Sequence, residues 1–234
     1  MMKRVKKTNI EWKGKIKGKE YSDILFEELS ISKGKIINVE FKNIHFKNCL
    51  LGQKTEYIES NFVNCKFFGK YSSLGSPSKF SKCRFENCQF VGIDLFHGTN
   101  FHKCEFSGSM KNHILYDKSS KFKGWETEFI ECDFSQLTFD HLNIYGKNIF
   151  KNCVLPKNGI RLYRNSNDEL IQRSEDICSH IDTDHKIESE VIFRRSMMTG
   201  QDPIIIDDLF LESFFKTVES RRIFDEIVEG YQLN

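Results

Sequence analysis

Residues 82–91 read Lys-Cys-Arg-Phe-Glu-Asn-Cys-Gln-Phe-Val, which is one five-residue unit written twice. In each copy a cysteine precedes a phenylalanine by two positions, and polar residues surround the pair. Seven of the eight cysteines in the chain have phenylalanine or leucine two residues downstream: Cys49, Cys65, Cys83, Cys88, Cys104, Cys132 and Cys153. A pattern that recurs this often at one spacing indicates an internal repeat.

The five-residue spacing extends beyond the cysteines. Eight consecutive steps of five land on large apolar residues, which we call centres: Ile16, Tyr21, Phe26, Ile31, Ile36, Phe41, Phe46 and Leu51. The series resumes after slips and ends at Leu155, just before Pro156. A period of five fits neither a helix nor a simple strand, so it predicts a chain that turns a corner every five residues. The centre and the residue two before it then face inward, as alternation in extended backbone requires.

Units such as 82–86 and 87–91 resemble those of the pentapeptide repeat family, and the resemblance covers roughly residues 14–156. It implies a right-handed, four-sided parallel β-helix in which four repeats form one coil and the centres stack inside. Cysteine often stands here where that family has alanine, and phenylalanine where it has leucine. At four centres per coil, the series predicts about five and a half coils, or a rod on the order of 25 Å long.

The predicted fold is therefore mainly a β solenoid over residues 14–156, followed by a small α-helical domain over 157–234. A basic arm, residues 1–13, precedes the solenoid. Breaks in the period predict insertions near 68–79 and 107–128, and insertions on rigid scaffolds often carry specific contacts.

Helical spacing of apolar residues after Pro156 predicts three or four helices. One is expected to begin at Asp202-Pro203, since proline is accepted in a first helical turn. Part of this region should cover the open end of the solenoid, which would otherwise expose core and strand edges.

Charge is unevenly distributed. The chain has a net charge of +2, made up of +9 over residues 1–160 and −7 over residues 161–234. The start of the chain has basic residues without the apolar stretch of a secretory signal, so a cytoplasmic location is expected. The cysteines recur where other repeats carry Ile, Leu or Val, which predicts buried free thiols rather than disulfides or zinc ligands.

No catalytic motif stands out, so an enzyme is not expected, nor a metal or cofactor. The cluster His180, Asp182, Asp184 and His185 is interpreted as a solvated helix-capping segment, because spacing alone does not make ligands converge. The leading hypothesis is a non-enzymatic scaffold that binds another macromolecule, in the first place a protein, through the helical region and the insertions. Its candidate interface residues are Phe210, Phe214, Phe215, Phe224, Ile227 and Tyr231. Pairing of the C-terminal helices of two copies into a homodimer is a further expectation.

Two alternatives concern nucleic acid, and no membrane association is expected. Some members of the pentapeptide repeat family protect DNA gyrase by imitating duplex DNA, so the resemblance suggests a modulator of gyrase or topoisomerase. That imitation needs an acidic rod, whereas this rod is basic. Direct binding of nucleic acid by the rod is the other alternative, since rows of lysines suffice for phosphate contacts. Its candidate contacts are Lys13, Lys15, Lys17 and Lys19.

Overall fold

The computed structural model describes residues 4–92, 94–118, 123–181, 183–198 and 203–233. These residues form a parallel β-solenoid of about 7 turns, followed by a small helical region. Both parts of the predicted fold class, the solenoid and the C-terminal helices, are confirmed.

The solenoid consists of short strands. Its first half contains β1 (Val5–Thr8), β2 (Glu11–Lys17), β3 (Glu20–Ser22), β4 (Ile24–Glu27), β5 (Ser30–Ile37), β6 (Glu40–Lys42), β7 (His45–Lys47), β8 (Leu50–Gln53) and β9 (Thr55–Ile58). Its second half contains β10 (Asn61–Val63), β11 (Lys66–Phe68), β12 (Ser78–Ser81), β13 (Arg84–Val91), β14 (Thr99–His102), β15 (Glu105–Tyr116), β16 (Glu128–Ile130), β17 (Asp133–Tyr145) and β18 (Phe150–Lys151). The C-terminal region contains β19 (Ile160–Tyr163), α1 (Asn167–Cys178), α2 (Thr183–Met198), β20 (Ile204–Asp207), α3 (Asp208–Phe214) and α4 (Val218–Val228).

Strands of successive coils pair in parallel. Leu25 in β4 lies beside His45 in β7, and His45 lies beside Lys66 in β11. The first of these offsets is 20 residues, which equals four steps of the five-residue repeat. One coil at this point therefore contains four of the five-residue repeats.

A left-handed backbone residue marks each corner. From Asp23 to Asn48, every fifth residue has a φ between 49° and 62°, and none of the six is glycine: Asp23, Glu28, Lys33, Asn38, Asn43 and Asn48. Each lies three positions before a centre. Asparagine tolerates this conformation better than most residues, because its short side chain can form local hydrogen bonds. The asparagine-rich composition of the repeats thus follows from the corners.

The centres stack into columns inside the solenoid. In one column, neighbouring rings are nearly parallel, with centroids 4.8 Å apart for Phe41–Phe62, 4.8 Å for Phe62–Phe85 and 4.9 Å for Phe85–Phe106. These separations match the spacing of hydrogen-bonded strands, so each ring rests on the ring of the coil before it. All four side chains are at most 2% exposed.

In several coils the inward residue two before the centre forms a hydrogen bond in addition to packing. Cys65 Sγ donates to the Phe41 carbonyl oxygen at 3.2 Å, and Cys88 Sγ donates to that of Phe62 at 3.2 Å. Thr127 Oγ1 donates in the same way to Phe96, at 2.7 Å. Small side chains with a donor are therefore interchangeable at this position, because each satisfies a backbone carbonyl of the preceding coil. All eight cysteines are free thiols, as predicted.

The solenoid is longer than the predicted five and a half coils, for two reasons. First, the expected basic arm contains strand structure: β1, which lies within the arm, pairs with β4, and β2, which begins within it, pairs with β5. Residues 107–116, expected to begin an insertion, continue β15 and pair with β13 and β17. There Met110 and Leu115 take centre positions and are fully buried. A glycine and a histidine, Gly108 and His113, stand two residues before these centres and hid the period.

The other expected insertion, 68–79, is also smaller than predicted. Ser73 forms a parallel bridge with Leu50, and Leu74 is fully buried in the solenoid core. This part of the segment is therefore an irregular stretch of coil. Ser78 already belongs to β12.

A two-stranded antiparallel sheet, formed by β19 and β20, lies between the solenoid and the helices. Ile205 belongs to the solenoid core, whereas Ile204 and Ile206 belong to the core of the helical region. Alternation along β20 thus places neighbouring residues in two different cores. A helix was predicted to begin at Asp202-Pro203 in the region that covers the solenoid end. Instead, residues 204–207 form a strand, and α3 begins only at Asp208. Asp202 lies outside the described residues.

Candidate functional site

A groove on the described part of the surface lies where α3 approaches the solenoid. Its volume is about 670 Å³. Its walls combine apolar and polar groups from four successive coils with one aromatic residue of α3. The four coils contribute Gly69, Lys70 and Ser72, then Val91, Gly92 and Asp94, then Asn112 and Ile114, then His141 and Asn143, and α3 contributes Phe210. A concave site of this size with a few convergent polar groups is the usual form of a ligand-binding site.

The buried carboxylate of Asp207 fixes α3 to the solenoid. Its Oδ1 accepts from the backbone N–H of Phe210 at 2.7 Å, which caps the helix. The same carboxylate accepts from the backbone N–H groups of His141 at 3.1 Å and Leu142 at 3.0 Å, both in β17. Asp207 is only 1% exposed, so these charge-assisted hydrogen bonds are shielded from water. One side chain therefore sets the distance between α3 and β17.

Three polar side chains form a hydrogen-bonded chain beside the groove. His141 Nδ1 lies 2.5 Å from Asp140 Oδ1, and His141 Nε2 lies 2.9 Å from the Ser213 hydroxyl oxygen. The imidazole also contacts the Phe210 ring edge-on, at 5.8 Å between centroids. Because the carboxylate can only accept, Nδ1 carries the proton and Nε2 is free to accept one.

Lys111 holds the carboxylate end of this chain. Its Nζ lies 2.7 Å from Asp140 Oδ2. Burial alone would raise the pKa of Asp140, but the hydrogen bonds from Lys111 and His141 outweigh it and keep that pKa below its ordinary value. Asp140 is therefore ionised when it contacts the imidazole.

The structure separates the predicted interface residues into two groups. Phe215, Phe224 and Ile227 are at most 8% exposed and form part of the core of the helical region, so their side chains are not available to a partner. Phe210, Phe214 and Tyr231 are half-buried and pack on the edge of that core. The Phe210 and Phe214 rings stack on each other, with centroids 5.7 Å apart. Helical spacing alone could not distinguish the core-facing residues from those at its edge.

The predicted anion contacts Lys13, Lys15, Lys17 and Lys19 lie on or next to β2, and all four are exposed. Lys13 forms an ion pair with Glu11 at 2.8 Å. On later coils, lysines pair with carboxylates of the neighbouring coil, as Lys35 does with Glu56 at 3.4 Å and Lys103 with Glu131 at 3.3 Å. Rows of alternating charge thus offset part of the basic excess of the rod.

The residues of the predicted helix-capping cluster point to different partners. His180 Nδ1 lies 2.7 Å from the hydroxyl of Ser179, whereas His185 Nδ1 lies 2.6 Å from the hydroxyl of Ser220 in α4. Asp182 lies outside the described residues, as does the side chain of Asp184. Over the described ranges, no group of three or more His, Cys, Asp or Glu side chains is arranged to hold a metal ion.

Sequence reasoning missed the chain formed by Asp140, His141 and Ser213. Ser213 is 72 residues from His141, and no motif marks either of them. One weak signal existed, since residue 141 is a corner position where a histidine replaces the more usual asparagine or glycine.

Compared with known proteins, the sequence matches no protein-family model, and no curated protein is significantly similar to it. Among the described helices, none has the length and apolar character that crossing a membrane requires.

Proposed function

We propose that this chain is a scaffold of the pentapeptide repeat type that binds a protein partner at the surface around Phe210 and Phe214. The fold supports the family assignment, since left-handed corners recur every five residues and coils repeat after about 20. A four-sided cross-section belongs to the same proposal. A cytoplasmic location does too, and the free thiols suit a reducing compartment.

One observation carries the choice of surface. The stacked pair of Phe210 and Phe214 remains half-exposed next to the groove, while two other predicted aromatic residues, Phe215 and Phe224, are buried. Large aromatic residues next to a concave surface are typical of the residues that dominate binding energy in protein interfaces. A homodimer that used the C-terminal helices could form through this same pair and Tyr231, or through the exposed apolar residues Ile187, Val191 and Val218.

Binding of nucleic acid by the rod receives less support. The lysines on the coils pair with carboxylates of adjacent coils, and two of them, Lys47 and Lys6, lower the pKa of Glu27 to about 2. An alternating surface of this kind lacks the uninterrupted row of cations that phosphate contacts favour.

The test compares Phe214→Ser with Leu209→Ser, because Leu209 is an exposed residue of the same helix that does not line the groove. Proteins crosslinked to each full-length variant in native lysate are quantified against wild type. We expect Phe214→Ser to lose a partner that Leu209→Ser retains, while thermal unfolding shows that both variants are folded. Identical partner sets for all three proteins would refute the proposed surface.

A further inference from the structure

Ser213, His141 and Asp140 are connected in the way that a nucleophile, its base and the group that orients the base are connected. Distances of 2.9 Å from Ser213 Oγ to Nε2 and 2.5 Å from Nδ1 to Asp140 are within hydrogen-bond reach at both steps. This arrangement is recognised by geometry and not by sequence order or fold. We propose that Ser213 is an activated nucleophile and that the groove beside it binds and hydrolyses carboxylic esters.

The surroundings hold the three groups in place. The Asp207 carboxylate binds the backbone of His141 and caps the helix that carries Ser213, so both partners are positioned by one buried group. Lys111 fixes the other oxygen of Asp140. Supporting contacts of this kind keep reacting groups within a fraction of an ångström of their working geometry.

The Ser213 hydroxyl has one proton and two acceptors within reach. The Phe210 carbonyl lies 2.9 Å away within the helix, and His141 Nε2 lies at the same distance across the junction. Rotation of the hydroxyl toward Nε2 leaves an oxygen lone pair free for attack. Ser213 is exposed, so no side chain has to move for a substrate to reach it.

The groove, which His141 lines, carries groups of the kinds that an acyl-transfer site uses. Val91, Ile114 and Phe210 form apolar wall against which an acyl chain can pack. The amide side chains of Asn112 and Asn143 line the same groove, and such N–H donors stabilise the oxyanion of a tetrahedral intermediate.

The reaction proceeds in two balanced steps. Ser213 Oγ attacks the ester carbonyl carbon and its proton passes to His141 Nε2; the carbon–oxygen bond to the alcohol then breaks, and the alcohol leaves with that proton. Water next attacks the acyl-serine, gives a proton to Nε2 and releases the carboxylic acid. The proton on Nε2 returns to Ser213 Oγ, which restores the hydroxyl.

The experiment uses the full chain with two probes, p-nitrophenyl butyrate and a fluorophosphonate that labels activated serines. We expect the label to map to Ser213, and Ser213→Ala to abolish both labelling and enzyme-dependent ester hydrolysis. His141→Asn should lower the rate about 100-fold, since it removes the general base. Ser166→Ala is the matched control, because Ser166 is a serine whose hydroxyl contacts a carboxylate, that of Glu169 at 2.8 Å, without a histidine.

Wild-type protein that is not labelled, a label on another residue, or equal hydrolysis by wild type and Ser213→Ala would each overturn the proposal. Thermal unfolding of each variant shows that the loss is not one of folding, and Asp140→Asn offers a second variant whose labelling should fall at least about tenfold. Protein binding at Phe214 does not depend on Ser213, so the two proposals fail separately.

Discussion

His113 is a titratable group enclosed in the solenoid core, and its burial should make the stability of the protein depend on pH. Its side chain is 1% exposed and takes the inward position that cysteine takes in other coils. Nε2 donates to the Phe90 carbonyl oxygen at 3.1 Å, and Nδ1 has no hydrogen-bond partner in the structure. The ring packs edge-on against Phe96, with centroids 5.0 Å apart.

This environment disfavours the charged imidazolium. Burial lowers the pKa of His113 from 6.5 to about 4, and neighbouring His97 adds to the effect, while the hydrogen bond to Phe90 opposes it. The unfolded chain therefore binds a proton more readily than the folded protein does. The neutral state stabilises the fold fully above the unfolded pKa of 6.5, and this contribution is lost as pH falls through about 4. A difference of that size corresponds to about 3 kcal/mol.

The test substitution is His113→Cys, because other coils carry cysteine at this position of the repeat. Cysteine keeps a hydrogen-bond donor but does not take up a proton in acid. Urea unfolding is measured for both proteins between about pH 7 and about pH 4. The smaller side chain should lower stability at every pH, because it leaves a cavity. We expect wild type to lose about 3 kcal/mol more than the variant over this range. Parallel pH profiles for the two proteins would refute the reasoning.

Three further predictions concern the corner, the junction and the close contact between coils. Asn64 has a φ of 53°, and its side-chain amide contacts Asn43 and Asn87. Asn64→Ala should therefore lower the free energy of unfolding by about 1–2 kcal/mol, and Asn64→Gly should lower it by less. Equal losses in chemical unfolding would contradict the role of the backbone angle. Asp207→Ala should cost about 3 kcal/mol or more and increase hydrogen exchange in α3, because three N–H groups, one of them buried, lose their acceptor. Asp208→Ala breaks only a half-exposed ion pair with Arg161 and should cost under about 1 kcal/mol, so a similar loss in both variants would contradict the role of Asp207. A Cβ on Gly108 would lie 2.0 Å from the Cys88 carbonyl oxygen, whereas Gly124 also has a positive φ but has open space around it. Gly108→Ala should therefore lower the melting temperature far more than Gly124→Ala does. Equal melting temperatures would refute the steric argument.

The solenoid could be predicted because its determinants are local. Phe85 and Phe90 are five apart, and each occupies a centre whose environment repeats in every coil. The repeat could not be recognised at Met110 and Leu115, because the inward positions two residues before them hold Gly108 and His113. Gly108 packs directly against the backbone of Cys88, and His113 is a buried polar residue. A repeat can be counted from sequence only while the same positions carry the same kind of residue.

The junction could not be predicted, because it depends on contacts between residues far apart in the chain. Asp207 looks like an ordinary helix cap, and its bonds to His141 and Leu142 follow only from the docking of β20. Ile204, Ile205 and Ile206 form a short apolar run that fits a helix or a strand equally well. Pairing with β19 decides in favour of the strand.

The two-stranded sheet of β19 and β20 also governs how this protein unfolds. A solenoid ordinarily frays coil by coil from an end, since each coil contacts only its neighbours. Here Ile205 is inserted among the last coils while Ile204 and Ile206 are held by the helices. Fraying of the C-terminal coils must therefore disrupt a second core at the same time, which turns a gradual process into a cooperative one. A load applied at this end would be resisted by both cores together.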